Sequence, residues 1–423
     1  MLKTNTHLTI LICLLLVTAA YGQTPTQLRQ LTLDNCVERA MANHPLLKAA
    51  QTRLQGTEEY GRYIGVRPNP TVTVQTENWR AWQQPSFAFG RDIDLFIFGT
   101  QRLETAGKAT RRRELAERQT ETAQSEIDLV RRHLRQEITR AYWNVLQSQM
   151  LLEILSENRG DLDQLVQYTG IRVREGYTAE SELIRARLER QTVIGQQAAT
   201  EQALERARLD LLRAMGETSF DTAFKVSAPQ NLTANSPLLV AGLEQLRADA
   251  LRQRPELIRL RAKVEAERAN LRLQQSNARP DWELSAGYKR TGGYNTFISY
   301  VTVSLPFFNK NRAEIGRAAA LISSAEQELL AEENYIRAEV ESAYRAAQKM
   351  SERLTEMQRD FLQQADESRN IALVAYREGA MDLYKLLETQ RARNDARLLY
   401  YRTLQEFQFS LAELALTVGG ENK

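Results

Sequence analysis

Two long stretches of the chain place apolar side chains in steps of three and four. Ile127, Val130, Leu134, Ile138 and Tyr142 keep that spacing; Leu386, Leu387, Leu398, Leu399, Leu404 and Phe407 keep it less regularly. Such a stripe marks a helix that hides one face and wets the rest. Residues 101–173 and 311–376 hold almost no helix breaker, and a continuous helix of that length runs about 100 to 110 Å at 1.5 Å per residue. Return helices are predicted over 179–215 and 382–417. All ten prolines lie before Gly316, with none between Pro85 and Pro229 and none after Pro306, so nothing interrupts either rod. Rods of this length pack side by side.

A different period appears ahead of each rod. Residues 71–79 and 87–95 alternate Val72, Val74, Phe87, Phe89, Ile93 and Leu95 with Thr73, Gln75, Glu77, Asp92 and Asp94. Further on, Trp282, Leu284, Ala286 and Tyr288 alternate with Glu283, Ser285, Gly287 and Lys289, and Phe297, Val301, Val303 and Leu305 build a returning strand beyond Gly292-Gly293. Period two with a glycine turn predicts strand pairs. A helix of about thirty residues precedes each pair, over 31–64 and 239–276, each with an early proline.

The two halves repeat one another. His44-Pro45-Leu46-Leu47 answers to Arg254-Pro255-Glu256-Leu257, Val66-Arg67-Pro68 to Ala278-Arg279-Pro280, residues 94–98 with Arg102 to residues 304–308 with Arg312, Glu137 and Ala141-Tyr142 to Glu339 and Ala343-Tyr344, and Arg174-Glu175-Gly176 to Arg377-Glu378-Gly379. Five matches in order, at offsets between 202 and 212, indicate a duplicated unit. The expected organisation is a first repeat over 23–217, a linker rich in Thr, Ser, Asn and Pro over 218–238, and a second repeat over 239–423.

Composition adds the compartment. Lys3, the apolar run 8–20 and the small residues of Ala19-Ala20-Tyr21-Gly22 read as a signal peptide over 1–22, cleaved before Gln23. Cys13 would leave with it and Cys36 would stand alone, so no internal disulfide is expected. No later run is apolar and long enough for a membrane helix. An exported chain with one-sided strands can still enter a membrane, but only as a closed barrel, because lipid leaves no solvent for unpaired backbone groups. Four strands are too few to close. A dimer would bring about eight and a trimer about twelve, the trimer with the wider bore. Thr73, Gln75, Glu77, Asp92, Asp94, Glu283 and Lys289 would then face water; the alternative is a soluble sheet packed over the helices.

Charge excludes more than it proposes. Lys and Arg total 56 against 53 Asp and Glu, with no basic block interleaved with aromatics, so no nucleic-acid partner is expected. His7 lies in the leader, His44 beside Pro45, and His133 has no second ligand at i+4; no metal site, cofactor or catalytic set is expected.

The duplicated halves, the Leu31-Thr32-Leu33 opening followed by Ala40, Asn43 and Pro45, the strand-to-helix passages at 95–102 and 305–312, and the approach Tyr376 to Gly379 followed by Leu387 and Gln390 together resemble the outer-membrane efflux protein family over the whole mature chain. The resemblance implies a mainly α protein with a membrane β-barrel: a trimer of four strands per chain closing twelve, continued by a long helical tunnel across the periplasm. It implies a passive conduit, not an enzyme, in the outer membrane, working with a periplasmic adaptor and, through it, an inner-membrane pump. The look is similar to members that serve heavy-metal cation pumps. It makes Gly176-Tyr177-Thr178 and Gly379-Ala380-Met381 the two hairpin tips, with Arg174, Glu175, Arg377 and Glu378 as adaptor contacts, glycine supplying the positive φ and Thr178 able to cap the returning helix. Family members constrict the tunnel just past the second tip; Asp382, Lys385 and Glu388 stand there, and Met381 and Lys385 depart from the acidic pattern. A mature start at Gln23 leaves attachment to the barrel. The second reading of the sequence is a periplasmic coiled-coil scaffold, or an adaptor-like protein without a pore.

Overall fold

A computed structural model describes residues 29–80, 86–228, 236–358 and 361–419; the leader reading lies outside them. The first half runs β1 (Arg29–Leu31), α1 (Leu33–Asn43), α2 (Pro45–Ile64), β2 (Thr71–Glu77), α3 (Phe89–Asp92), β3 (Asp94–Leu103), α4 (Lys108–Arg174) and α5 (Glu180–Ala214). After β4 (Phe224–Val226) and α6 (Pro237–Ala241), the plan recurs as α7 (Leu243–Gln253), α8 (Pro255–Asn277), β5 (Trp282–Thr291), β6 (Tyr294–Val303), α9 (Arg312–Gln358), α10 (Phe361–Arg377) and α11 (Leu383–Val418).

Three local readings change. The helix expected over 31–64 is two helices meeting at His44, and that over 239–276 holds a break at Arg254. Both residues precede a proline and are extended, with ψ 129° and 125°, because the proline ring excludes the helical conformation before it. His44 uses the break, its Nδ1 accepting from the amide of Leu46 at 3.2 Å. The strand expected over 87–95 begins only at Asp94. Asp92 takes the amide of Ala88 at 2.7 Å and closes a short helical turn instead, so Asp92 does not line the water face. The segment read as a linker contains β4, which pairs in parallel with β1; Tyr142 joins the pair from α4, its hydroxyl 2.5 Å from the carbonyl of Ser227 and 3.2 Å from that of Leu31.

The main sheet has the antiparallel order β2-β3-β5-β6. The β3–β5 seam joins the two halves, and β2 and β6 are the edges. Register places Val74, Ile97, Tyr288 and Phe297 in one row across all four strands, and Gln75, Phe96, Lys289 and Thr296 in the next row on the opposite face. Val72, Val74, Ile97, Trp282, Leu284, Phe297 and Val301 are exposed on the apolar face. Phe96 and Phe98 fall on the polar face, where Lys289 Nζ stands 5.2 Å from the Phe96 ring and Tyr300 meets Phe98 edge-on at 5.7 Å. Asp94 is buried, held by Asn78 at 2.8 Å and the amide of Gly292 at 3.0 Å.

Below the sheet the chain passes directly into the rods. Asp281 receives Arg102, the amide of Thr105 and Lys108, at 2.7, 3.0 and 2.7 Å. Lys108 also donates to the carbonyl of Arg279 at 2.7 Å. This buried knot crosses between halves and fixes the direction in which α4 leaves the sheet. At 67 residues, α4 is about 100 Å long. Its core with α1, α2 and α5 gathers Cys36, Leu134, Ile138, Tyr142 and Leu211, while Leu257, Ile336, Val340 and Leu414 form the counterpart core of the second half. Among the described residues no helix is long and apolar enough to cross a membrane.

Candidate functional site: the hairpin tips

At the far end of the rods each half turns on a glycine. Gly176 has φ +78° and Gly379 φ +76°, and a Cβ at either would meet nothing, so the requirement is conformational. In the first tip the amide of Tyr177 reaches back to the carbonyl of Arg172 at 2.8 Å; in the second Ala380 reaches Ala375 at 2.8 Å. These are the wide backbone bonds of a left-handed helix stop. The returning helices start differently. Asp382 caps α11, its Oδ1 accepting from the amide of Lys385 at 2.8 Å. Thr178 does not cap α5. The cap position is Ala179, which has no side-chain acceptor, and Glu180 and Glu182 in the first turn supply the negative charge that a helix start favours.

Arg174, Glu175, Gly176, Tyr177, Arg377, Glu378, Gly379 and Ala380 are exposed, with Thr178 and Met381 half-buried. Among the described residues the side chains of Arg174, Glu175, Arg377 and Glu378 have no ion pair or hydrogen bond. Asp382, Lys385 and Glu388, three apart, share an exposed face of α11, while Leu383, Leu386, Leu387 and Gln390 are buried.

The tips are also tied to each other, through residues the spacing alone did not single out. Tyr376, 2% exposed, donates its hydroxyl to Glu182 at 3.4 Å and lies 3.3 Å from the hydroxyl of Thr169. Arg172 donates to the carbonyl of Tyr376 at 3.1 Å, and its guanidinium stands 5.3 Å from the Tyr376 ring and 5.9 Å from that of Tyr168. Burial pushes the Tyr376 hydroxyl above the ordinary tyrosine range, so it remains a donor. The available signal was the tyrosine three residues before a turn glycine.

About 20 Å above the tip, at 1.5 Å per residue, a second tie joins three helices. Glu157 and Asp161 of α4 meet Arg393 of α11 at 3.2 and 3.4 Å; Arg393 also pairs with Asp366 of α10 at 2.5 Å, Arg369 with Asp161 at 3.1 Å, and Arg397 with Glu157 at 2.7 Å. Gln390 donates to Asp161 at 3.0 Å. Burial raises the Glu157 carboxyl, but its bonds to Arg397 and Arg393 outweigh that and hold it below the usual range. Among the described residues no group of His, Cys, Asp and Glu is placed to hold a metal ion. Cys36 is buried, its thiol pushed up to about 11 by burial.

Comparison with known proteins bears on what such a sheet-and-rod chain is. A curated relative, the cobalt-zinc-cadmium resistance protein CzcC of Cupriavidus metallidurans, is 24% identical over 376 residues, covering 88% of this chain and 86% of its own. The outer membrane protein VceC of Vibrio cholerae superposes with a TM-score of 0.74 at 18% identity, over 92% of this chain and 97% of that one. The CmeC outer membrane channel of Campylobacter jejuni gives 0.73 at 16%, over 92% and 85%. The family described as Outer membrane efflux protein matches residues 36–217 and 246–420. Its members are passive channels, trimeric and seated in the outer membrane, whose barrel forms only when the protomers assemble. The free edges of β2 and β6 are what such closure joins. This chain belongs to the outer membrane efflux protein family, as an outer-membrane channel component of a tripartite efflux system.

Proposed function

We propose that this channel is the exit duct for heavy-metal cations, loaded at its hairpin tips by a periplasmic adaptor that couples it to an inner-membrane pump. The cargo reading is supported by the extent of the match to CzcC, which spans nearly all of both chains. The conduit itself needs no metal ligands, because cargo passes through water and energy comes from the pump. The docking reading is supported by the unpaired charges of Arg174, Glu175, Arg377 and Glu378 beside the exposed ring of Tyr177. Such a surface has few internal commitments to break when a partner arrives. Asp382, Lys385 and Glu388, on the exposed face of α11, are the residues proposed to narrow the tunnel mouth.

The test is a deletion strain with and without the restored gene. Growth should fail at severalfold lower cobalt, zinc or cadmium, with dyes and detergents unchanged. The reverse pattern overturns the metal assignment. Photo-crosslinkers in place of Tyr177 and Ala380 should capture a periplasmic hairpin protein, and capture only from the flanks of the rods would remove the tips as the docking surface.

A further inference from the structure

The lipid face of the sheet is short. Its apolar rows run from Leu103, Trp282 and Val303 to Val74, Ile97, Tyr288 and Phe297; the next row carries Thr76, Arg290 and Asn295 beside Leu95. From Leu103 to Ile97 is about 20 Å along a strand at 3.3 Å per residue, or about 15 Å of height at a barrel tilt of about 40°, against an apolar band of about 25 Å in membrane barrels. Something outside the strands must supply the rest.

At the rod end of this face the chain continues from Val303 into the connection leading to α9. There Leu305 is 61%, Phe307 73% and Phe308 fully exposed, continuous with exposed Trp282 and Leu103. Pro306 has no amide to satisfy, and the amide of Phe307 turns back onto the carbonyl of Leu305 at 3.0 Å, which lowers the cost of placing this backbone against lipid. Asn311 pins the far end to α8, its Nδ2 donating to the carbonyl of Gln274 at 2.8 Å. Lys310 and Arg312, both exposed, flank the aromatic pair, as basic residues do beside apolar groups seated at a headgroup layer. We propose that residues 305–308 are a lipid anchor, seated at the acyl–headgroup boundary of the periplasmic leaflet and completing the apolar band that the strands leave short. The inference rests on the barrel reading above.

The test uses the full chain in a Cys13→Ala, Cys36→Ala background, reconstituted in phosphatidylethanolamine–phosphatidylglycerol vesicles. Nitroxides are placed by Phe308→Cys, by Phe297→Cys on the lipid face and by Thr73→Cys on the water face. The label at 308 should collide severalfold more with oxygen than with a water-soluble nickel chelate, as the label at 297 does and that at 73 does not. Nickel access at 308 equal to that at 73 overturns the anchor, as does shielding from both reagents, which would place Phe308 under a neighbouring protomer. A water-exposed label at 297 would instead overturn the barrel reading and the anchor with it.

Discussion

Tyr376 of the second hairpin donates its hydroxyl to Glu182 of the first, 3.4 Å away, from a site almost wholly closed to solvent. That bond links two hairpins that belong to different halves of the duplicated chain. Separating the tips requires breaking it, and a hydrogen bond of this kind is worth about 1 kcal/mol net. Tyr376→Phe should therefore shift the balance toward separated tips about fivefold per protomer, by the same estimate. Single-channel recording should find longer open times in an intact trimer; unchanged open times would show that the bond does not restrain the tips.

The tie above the tips carries a pH dependence of known sign. The Glu157 carboxyl is held below its ordinary range in the folded chain, so its stabilisation is present above the unfolded carboxylate pKa, about 4.3, and is lost as pH falls through the depressed value. Conductance should rise on acidification below about pH 4, and Glu157→Gln should show the raised conductance already at neutral pH, with a smaller acid step. A step of unchanged size in Glu157→Gln would assign it elsewhere.

At the second tip, Gly379→Val forces a branched residue to φ +76°, a conformation that costs such side chains about 1 to 3 kcal/mol. The strain falls on the turn alone. Expected is a trimer of normal thermal stability whose crosslinking to the adaptor and whose metal export both fall; normal export would remove the tip from the docking surface.

The β3–β5 seam depends on Gly287. A Cβ there would lie inside van der Waals contact with the carbonyl of Ile97 and 2.6 Å from the Cβ of Phe98, so the two halves would have to part. Gly287→Ala should lower the melting temperature of the trimer, with a loss of about 1 to 3 kcal/mol typical of overpacking, visible as earlier dissociation on heating. Gly99, which lies one row away opposite Ala286 and has open space at its Cβ, is the control for alanine in the same seam.

The knot under the sheet gives a paired prediction. Lys108 and Asp281 have side chains only 7% and 6% exposed, and stripping one partner from such a pair costs about 3 to 5 kcal/mol. Lys108→Met should destabilise by that order in a denaturant titration of the barrel. Adding Asp281→Leu should return part of the loss, since no charge is then left buried. An unrecovered double variant would assign the loss to Thr105 and Arg102, which share the same carboxylate.

Long-range architecture was readable because it depends on repetition. Absence of proline over 101–173 was enough to foresee α4, and glycines after Arg-Glu in both halves marked both turns. Local detail escaped where one side chain overrides a pattern. The alternation through Phe89 and Ile93 mimicked a strand, yet the carboxylate of Asp92 closes a turn on Ala88 and delays the strand to Asp94. Phe96 and Phe98 could not be placed on the polar face until the register with Gln75 and Gly287 was known. The ties of Tyr376 and Arg393 join residues about two hundred positions apart, beyond the reach of any local period.

The central claim is that the free edges of β2 and β6 close a barrel between three chains in the outer membrane. Native mass spectrometry of the protein extracted from purified outer membranes tests it most directly. The account predicts a species of three chain masses that falls to the single chain on heating; a soluble periplasmic monomer, or an outer-membrane species of another copy number, would contradict it.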